Sequence, residues 1–574
     1  MSPESAHEHD QPTTPGTSPT RRAFTMSSLA VAGLATLAAC AESDRDSGGD
    51  ATDGASSSSV DTFVFGGAAD PDSLDPAFAS DGETFRVSRQ IFETLVSTEP
   101  GGTELAPGLA TEWTQSDDGL NYTFTLAEGV TFSNGEPFDA AAVVANFERW
   151  YNFTGIAQGE DLAYYYRSIF RGFAQNGDEA LGTSLYAGSV ANEDGTVTVT
   201  LTSPFAGFLA SMTLPAFSMQ ETKAIEAANG NGADGSDPRQ GTYATSAPVG
   251  TGPFVFESWE RGQQLTLTAR DDYWGEKAKI KTAVIRFIDD GTARRQALQN
   301  GDIDGYDLVA PQDVKTLEDG GFQVPNRPAF NILYLGMNQA NPALADVRVR
   351  QAIAHAIDKD AVISNALPEG TKAATQFMPD NVIGFDEGVT TYEFDVDKAK
   401  SLLAEAGQSA LTLNFNYPTG VSRPYMPDPE TIYNAISQQL TAVGITVTPV
   451  AEQWSPDYLD TVQGTTEHGI HLLGWTGDYN DPDNFIGVFF GAATNEWGFD
   501  DPALFEALAT ARTVTEDEQQ SAYEAINEQI MTLLPGIPVA SPVPSLAFAP
   551  GVSGYTASPV QNEVWNTVTV SSDS

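Results

Sequence analysis

The sequence predicts an α/β protein with several domains or two large lobes, and three observations support this prediction. Single domains usually hold about 100–200 residues, whereas this chain has 574. Hydrophobic residues make up 41% of the chain, which is enough for a folded core and excludes wholesale disorder. Short runs of β-forming residues also alternate with segments of helical periodicity.

In the first half of the chain, alternation predicts strands and apolar spacing predicts helices. Asn121–Leu126 alternates β-forming side chains, which predicts a strand. Apolar residues at Val143, Phe147 and Trp150 recur at helical spacing and predict a helix over 138–150. By the same criteria we expect strands over 62–65 and 196–202, the latter at an edge or half-buried, and a helix over 83–96.

A β-α-β unit is the clearest pattern of the second half. Strands are predicted over 411–416 and 445–450, and the segment 429–443 between them predicts a helix. A connection of this length requires a parallel pair of strands, which the general rule makes right-handed. We further expect a helix that begins after Asp395 and ends before Gly407, a strand over 470–475, a helix over 515–534 with Thr515 and Glu518 as a capping box, and β-structure over 538–548.

The acidic composition excludes two classes of partner. The chain has 78 Asp and Glu residues against 28 Lys and Arg residues, for a net charge of −50. Nucleic acid binding needs a basic groove and anionic lipid attracts basic segments, so we expect neither partner. We attribute the acidity to solubility or to a salty medium. Cys40 is the only cysteine, which excludes an intramolecular disulfide and a zinc site built from cysteines.

The first 39 residues are predicted to be a signal peptide. Arg21 and Arg22, followed by Phe24, resemble the twin-arginine export signal. The apolar run 29–40 is shorter than the roughly 20 residues that a transmembrane helix needs. Its end, Leu-Ala-Ala-Cys40, resembles a bacterial lipobox, in which the cysteine is lipidated; an ordinary signal with a chance cysteine is the alternative. The Ser, Gly and Asp residues that follow predict a flexible tether. We therefore expect residues 40–60 to comprise the lipidated cysteine and this tether.

Motifs that indicate an enzyme or a metal site are missing from the sequence. There is no Gly-x-Ser-x-Gly elbow, phosphate-binding loop or His-Glu-x-x-His. His468 and His471 stand at the start of a predicted strand, where positions three apart point to opposite faces, so a joint metal role is not expected. The acidic run 478–484 lacks the features of an EF-hand and is typical of a turn. We therefore expect no catalytic residues, no metal and no cofactor.

Four side chains follow two strands that could share a parallel sheet. Arg423 and Tyr425 come after strand 411–416, and Trp475 and Asp478 come at the end of strand 470–475. Ligands bind beyond the carboxyl ends of such strands. An arginine suits a carboxylate and an aspartate suits an ammonium, so the set would recognise a zwitterion between aromatic walls. The alternative is that Arg423 and Asp478 form ordinary surface ion pairs.

A set of motifs is spread over nearly all of the mature chain, at 110–113, 117–126, 129–132, 135–138, 248–254, 272–275, 298–304 and 347–358. Together they resemble the family 5 extracellular solute-binding proteins of ABC importers, which include peptide and nickel receptors. Ala127 and Ala142 depart from the family pattern, where Arg and Asp are usual.

Within the family, the segments 422–425, 474–478 and 481–485 most resemble the dipeptide-binding branch. This resemblance implies that Arg423 pairs with the ligand carboxylate and Asp478 with its α-ammonium. Tyr425 and Trp475 would then be wall residues, and a contact from the N-terminal lobe is expected around Ser80.

The resemblance also implies a two-lobed fold like that of type 2 periplasmic binding proteins, in the large three-domain form with a hinge. We expect domain I to comprise 61–93, 247–325 and 540–574, domain II to comprise 94–246, and domain III to comprise 326–539.

The function implied is that of a monomeric, non-enzymatic lipoprotein on the outer face of the cytoplasmic membrane. It would capture di- or oligopeptides by lobe closure and deliver them to an ABC permease with its ATPase subunits. The alternatives are a receptor of the same fold for a nickel complex, haem or another small molecule, and a secreted hydrolase.

Overall fold

The computed structural model describes residues 59–232 and 234–571, apart from the side chains of Ser59, Glu516 and Asp517. These residues form two six-stranded sheets, one four-stranded sheet and two small sheets of three and two strands. Helices lie between the strands along the chain, which confirms the α/β prediction.

The first large sheet collects strands from distant parts of the chain. Its order is Leu546–Phe548, Gly305–Asp307, Thr62–Gly67, Thr282–Phe287, Gln264–Ala269 and Phe254–Glu260. Thr62–Gly67 pairs in parallel with both of its neighbours, and the remaining pairs are antiparallel. Because its strands come from residues 62–67, 254–307 and 546–548, the chain leaves this sheet and returns to it twice.

The four-stranded sheet forms during the first excursion. Its order is Ala110–Gln115, Asn121–Leu126, Val197–Leu201 and Tyr186–Ala191, all antiparallel. The small sheets pair Val96–Thr98 with Leu105–Pro107, and Thr569–Ser571 with both Ser59–Val60 and Val552–Ser553.

The second large sheet forms during the second excursion. Its order is Lys372–Ala373, Gly536–Ser541, Asn331–Met337, Ile470–Thr476, Thr412–Thr419 and Thr446–Gln453. Thr412–Thr419 is parallel to both Thr446–Gln453 and Ile470–Thr476, which confirms the predicted parallel pair. The helix Pro429–Ala442 connects Thr412–Thr419 with Thr446–Gln453. Asp428 is its N-cap, and the Asp428 carboxylate accepts from the backbone amide of Thr431.

The α-helices follow the sequence pattern closely in the second half of the chain. Gly407 ends the predicted helix with a φ of 71°, and the capping box at Thr515 is present. The helices are Gly82–Ile91, Ala140–Tyr151, Tyr164–Phe170, Phe208–Ser211, Thr222–Ala227, Thr242–Ser246, Gly291–Asn300, Pro311–Asp319, Val347–Ala356, Lys359–Ala366, Val396–Glu405, Pro429–Ala442, Leu459–Val462, Ile486–Phe490, Pro502–Ala511 and Glu516–Leu533. None of these helices has both the length and the hydropathy that spanning a bilayer requires.

Two predicted elements of the first half differ from the structure. The helix expected over 83–96 ends at Ile91, because the Ile91 carbonyl accepts from the Gly252 amide at 2.9 Å and Phe92 adopts an extended backbone. The strand expected over 196–202 at an edge or half-buried is half-buried, as its alternately buried residues show; only the edge placement is wrong, because the strand lies inside its sheet.

The predicted separation of the two histidines is wrong. The rings of His468 and His471 are 5.0 Å apart, and both approach Glu496. His468 precedes the strand, which begins at Ile470, so strand alternation does not apply to it. Burial lowers the pKa of His468 to about 4. Even so, the described residues contain no group of three side chains that could hold a metal ion.

Candidate functional site

Two parallel strands end side by side at the edge of the second large sheet. Thr412–Thr419 and Ile470–Thr476 are in register at Phe415 with Ile470 and at Asn416 with His471. The loops beyond both strands therefore meet at one edge. They contribute to a cavity of about 560 Å³, and Arg423, Tyr425, Trp475 and Asp478 all line it.

Arg423 is a half-buried cation without a carboxylate partner. Its backbone forms a two-way pair with Met426, at 3.1 and 2.9 Å, which fixes the loop. The guanidinium carbon lies 4.5 Å from the centre of the Trp454 ring, a cation–π contact. No ion pair holds this side chain within the part of the chain that the structure describes. Its hydrogen-bonding groups are therefore available to an anionic ligand group.

Asp478 is a half-buried anion at the opposite end of the candidate set. The Tyr165 hydroxyl donates to its Oδ1 at 2.9 Å, and the Asn484 side-chain amide donates to its Oδ2 at 3.4 Å. No arginine, lysine or histidine forms an ion pair with it among the described residues. Burial raises the pKa of Asp478 to about 6, although Tyr165, Asn484 and the charge of Arg89 oppose this rise.

The aromatic residues form the walls because two glycines leave room for rings. Tyr425 is buried, and burial raises its pKa to about 12. A Cβ atom at Gly474 would overlap the Tyr425 ring, and one at Gly477 would overlap the Phe330 and Phe485 rings. The Trp475 Nε1 atom is buried and has no hydrogen-bond partner among the described residues, so it is a free donor beside the cavity.

The facing wall comes from helix Gly82–Ile91 and from helix Tyr164–Phe170. Ser80, near which an N-terminal contact was expected, lines the cavity. The sequence prediction missed Asp81, Arg89 and Tyr165, which also line it. Asp81 is the N-cap of helix Gly82–Ile91, and a cap residue indicates where a helix begins but not that it contacts a ligand. Nothing in the spacing of Arg89 or Tyr165 relates them to the residues of the opposite wall, which lie more than 250 positions away.

Arg89 is a buried cation that shares this wall. Its guanidinium donates to the Asn562 side chain at 3.0 Å and to the Val560 carbonyl at 3.2 Å. Burial lowers the pKa of Arg89 to about 10, against the opposing charges of Glu563 and Asp478. The described residues give it no carboxylate within ion-pair distance.

A cavity between elements of two α/β lobes, lined by unpaired charges of opposite sign, defines a two-lobed solute-binding protein. The family model described as bacterial extracellular solute-binding proteins, family 5 Middle, matches residues 104–497. The chain belongs to this family. Family membership and the two-lobed fold, both expected from sequence motifs, are thereby confirmed.

Individual relatives differ in the ligand that their names give. The chain is 30% identical to the dipeptide-binding protein of Escherichia coli over 77% of this chain and 81% of the relative. It is 29% identical to heme-binding protein A of Haemophilus influenzae over 93% and 97%.

Among solved structures, the fold is similar to that of the ABC transporter-associated periplasmic binding protein DppA from Helicobacter pylori in complex with the peptide STSA. The TM-score is 0.74 at 28% identity, over 89% of this chain and 98% of that one.

Proposed function

We propose that this protein captures di- or oligopeptides in the cavity at Arg423 and Asp478 and delivers them to an ABC permease. The observation that supports this is that both residues line one cavity and that neither has an ion-pair partner among the described residues. A peptide with free ends carries a carboxylate for the planar fork of Arg423 and an ammonium for Asp478. The names of several relatives as dipeptide-binding proteins support the same ligand class.

Capture requires no chemical step. The family and the fold are those of solute-binding receptors. A ligand that contacts residues of both walls, such as Tyr165 and Arg423, favours the state in which the walls are close together. We propose 61–93, 247–325 and 540–574 as one domain, 94–246 as a second, and 326–539 as a third, with the hinge between lobes.

Anchoring is a separate part of the proposal. Arg21 and Arg22 would direct twin-arginine export, and Cys40 would carry a lipid on the outer face of the cytoplasmic membrane. These three residues lie outside the described residues. The receptor would act as a monomer with the permease and its ATPase subunits as partners.

The decisive experiment is a calorimetric titration with a dipeptide whose ends are free, N-acetylated or C-amidated. The protein is first unfolded and refolded to remove any ligand that purified with it. Because each blocked end leaves one buried charge unpaired, we expect the affinity to fall by about 30-fold or more for either blocked peptide. Equal affinity for the blocked peptides, or no binding at all, would point instead to another solute, such as a nickel complex or haem.

Variants assign each end of the peptide to a residue. In Asp478→Asn, N-acetylation should no longer reduce the affinity, whereas C-amidation still should. In Arg423→Gln the pattern should be the reverse. Arg348→Gln is the matched control, because this exposed arginine pairs with Asp346 outside the cavity and its loss should change neither affinity.

A further inference from the structure

We propose that Asp81 binds a second positive charge on the ligand, so that the receptor prefers peptides with a lysine or arginine side chain. This inference rests on the proposed function and specifies the substrate class of the same cavity. It concerns the wall that faces Arg423 and Asp478, and three observations support it.

The first observation is that half of the Asp81 carboxylate is unused. Its Oδ1 accepts from the Thr84 amide at 2.8 Å and so caps helix Gly82–Ile91. Its Oδ2 is buried and has no hydrogen-bond partner among the described residues. No cation of the described chain forms an ion pair with it. A buried carboxylate oxygen without a partner is unfavourable, and a ligand cation would relieve this.

The second observation is that Asp81 lies near the expected ammonium site. Phe85, one turn into the helix that Asp81 caps, packs against Tyr165 with 5.6 Å between ring centres. The Tyr165 hydroxyl donates to Asp478. Burial, with the charges of Asp478 and Asp81 among the further causes, raises the pKa of Tyr165 well above its usual value. Tyr165 therefore stands close to both carboxylates.

The third observation is the charge of the cavity wall. Seven acidic residues and four arginines line it. Arg86 is already paired with Glu83 and Asp307, and Arg294 donates to the Ile288 and Asp289 carbonyls. A zwitterionic peptide brings no net charge, so the wall would stay negative. A ligand side chain with a positive charge reduces this excess, because opposite charges within a few ångströms stabilise each other when screened from water.

Burial, together with the charges of Asp72 and Glu83, raises the pKa of Asp81 to about 6 against the hydrogen bonds with Thr84. The carboxylate is still ionised at pH 7.5, where the experiment is done. It is therefore able to attract a lysine or arginine side chain under that condition.

The test compares the affinities of Lys-Ala, Ala-Lys and Ala-Met at pH 7.5 by calorimetry. We expect the better of the two lysine peptides to bind at least about tenfold more tightly than Ala-Met. In Asp81→Asn this preference should disappear, because the affinity for the preferred lysine peptide should fall at least about tenfold more than the affinity for Ala-Met. Asparagine is as good an N-cap as aspartate, so the helix should keep its start.

The control is Asp139→Asn, which makes the same change at the exposed cap of helix Ala140–Tyr151 outside the cavity. It should leave the lysine preference intact. The unfolding temperature of both variants checks that each is folded.

Three outcomes would overturn the inference, and they differ in what they say about the proposed function. If Ala-Met binds and the lysine peptides bind no more tightly, the proposal of peptide capture is supported and the proposed role of Asp81 is wrong. If Asp81→Asn weakens all three peptides equally, Asp81 binds the α-ammonium rather than a side chain. If no peptide binds, the proposed function fails as well.

Discussion

At the scale of single residues, Asp478 illustrates how burial prepares a charge for a ligand. Its carboxylate accepts hydrogen bonds from Tyr165 and Asn484, but no cation of the described chain lies within ion-pair distance of it. Because the anion is only partly stabilised, burial raises the pKa of Asp478 to about 6. The ammonium of a peptide would supply the missing charge and lower this pKa again.

Ligand affinity should consequently depend on pH in the acidic range. Near pH 7 the carboxylate is ionised and the α-ammonium of the peptide keeps its proton, so the affinity for a neutral dipeptide such as Ala-Met should be greatest there. Below pH 6 a proton must leave before the ammonium binds, so the affinity should fall by up to about tenfold per pH unit. Calorimetry between pH 4.5 and 8 measures this. Asp478→Asn should flatten the profile, and an equally steep profile in that variant would contradict this role.

At the scale of elements, the end of helix Pro502–Ala511 ties two parts of the chain together. Arg512 forms an ion pair with Asp483 and donates to the Ile169 carbonyl at 3.0 Å. Its guanidinium carbon lies 4.0 Å from the centre of the Phe205 ring, and its own carbonyl accepts from the Ala206 amide at 3.1 Å. The buried side chain of Arg512 thus connects Asp483, which follows the second large sheet's strand Ile470–Thr476, with Ile169 and Phe205, which belong to the part of the chain around the four-stranded sheet.

Replacing Arg512 should therefore cost more than replacing an exposed arginine. Arg512→Ala leaves Asp483 and the carbonyls of Ser168 and Ile169 without this donor, which should destabilise the protein by about 3 kcal/mol or more. Arg348→Ala removes an exposed pair with Asp346 and should cost less than about 1 kcal/mol. Urea unfolding of the ligand-free protein, followed by tryptophan fluorescence, measures both. Similar midpoints for the two variants would show that the Arg512 contacts contribute little.

At the scale of the whole molecule, the excess of negative charge makes the stability of the fold depend on pH. The net charge of the chain is −50. Burial raises the pKa of Asp81 and of Asp478 to about 6, and raises that of Asp481 to about 7 with the help of the neighbouring charge of Asp483. A carboxylate whose folded pKa exceeds its unfolded pKa binds protons more tightly in the folded state. It therefore destabilises the fold as pH rises through that range.

The ligand-free protein should accordingly be more stable at pH 5.5 than at pH 7.5. Proton uptake by these three carboxylates should contribute about 3 kcal/mol in this interval, and weaker self-repulsion acts in the same direction. His468, whose pKa burial lowers to about 4, takes up its proton only in the unfolded chain and offsets about 1 kcal/mol of this gain. Carboxylates with lowered pKa, such as Asp118 and Asp194, lose their contribution only at lower pH and do not reverse the trend.

Scanning calorimetry at both pH values checks this expectation. Added NaCl should raise the unfolding temperature at pH 7.5, because salt screens the repulsion. Asp481→Asn should reduce the difference between the two pH values. A higher unfolding temperature at pH 7.5 than at pH 5.5 would contradict the expectation.

Much of the fold was predictable because its signals are local. The parallel strands around helix Pro429–Ala442, the cap at Asp395 and the capping box at Thr515 each depend on residues only a few positions apart. Predictions failed where a distant partner intervened. The Gly252 amide donates to the Ile91 carbonyl, where one helix ends. His468 and His471 both lie within hydrogen-bonding distance of Glu496.

The sequence by itself determined the α/β class, the order of the main elements and one side of the candidate site. It allowed four residues to be proposed, because Arg423 and Tyr425 come after one recognisable strand and Trp475 and Asp478 come at the end of another. Only the tertiary structure decided the facing wall of Asp81, Arg89 and Tyr165, and the charges of the cavity as a whole. The physical reason is that periodicity and caps act between near neighbours, whereas the order of strands in a sheet brings together residues hundreds of positions apart. Burial, which raises the pKa of Asp478, arises only from that assembly.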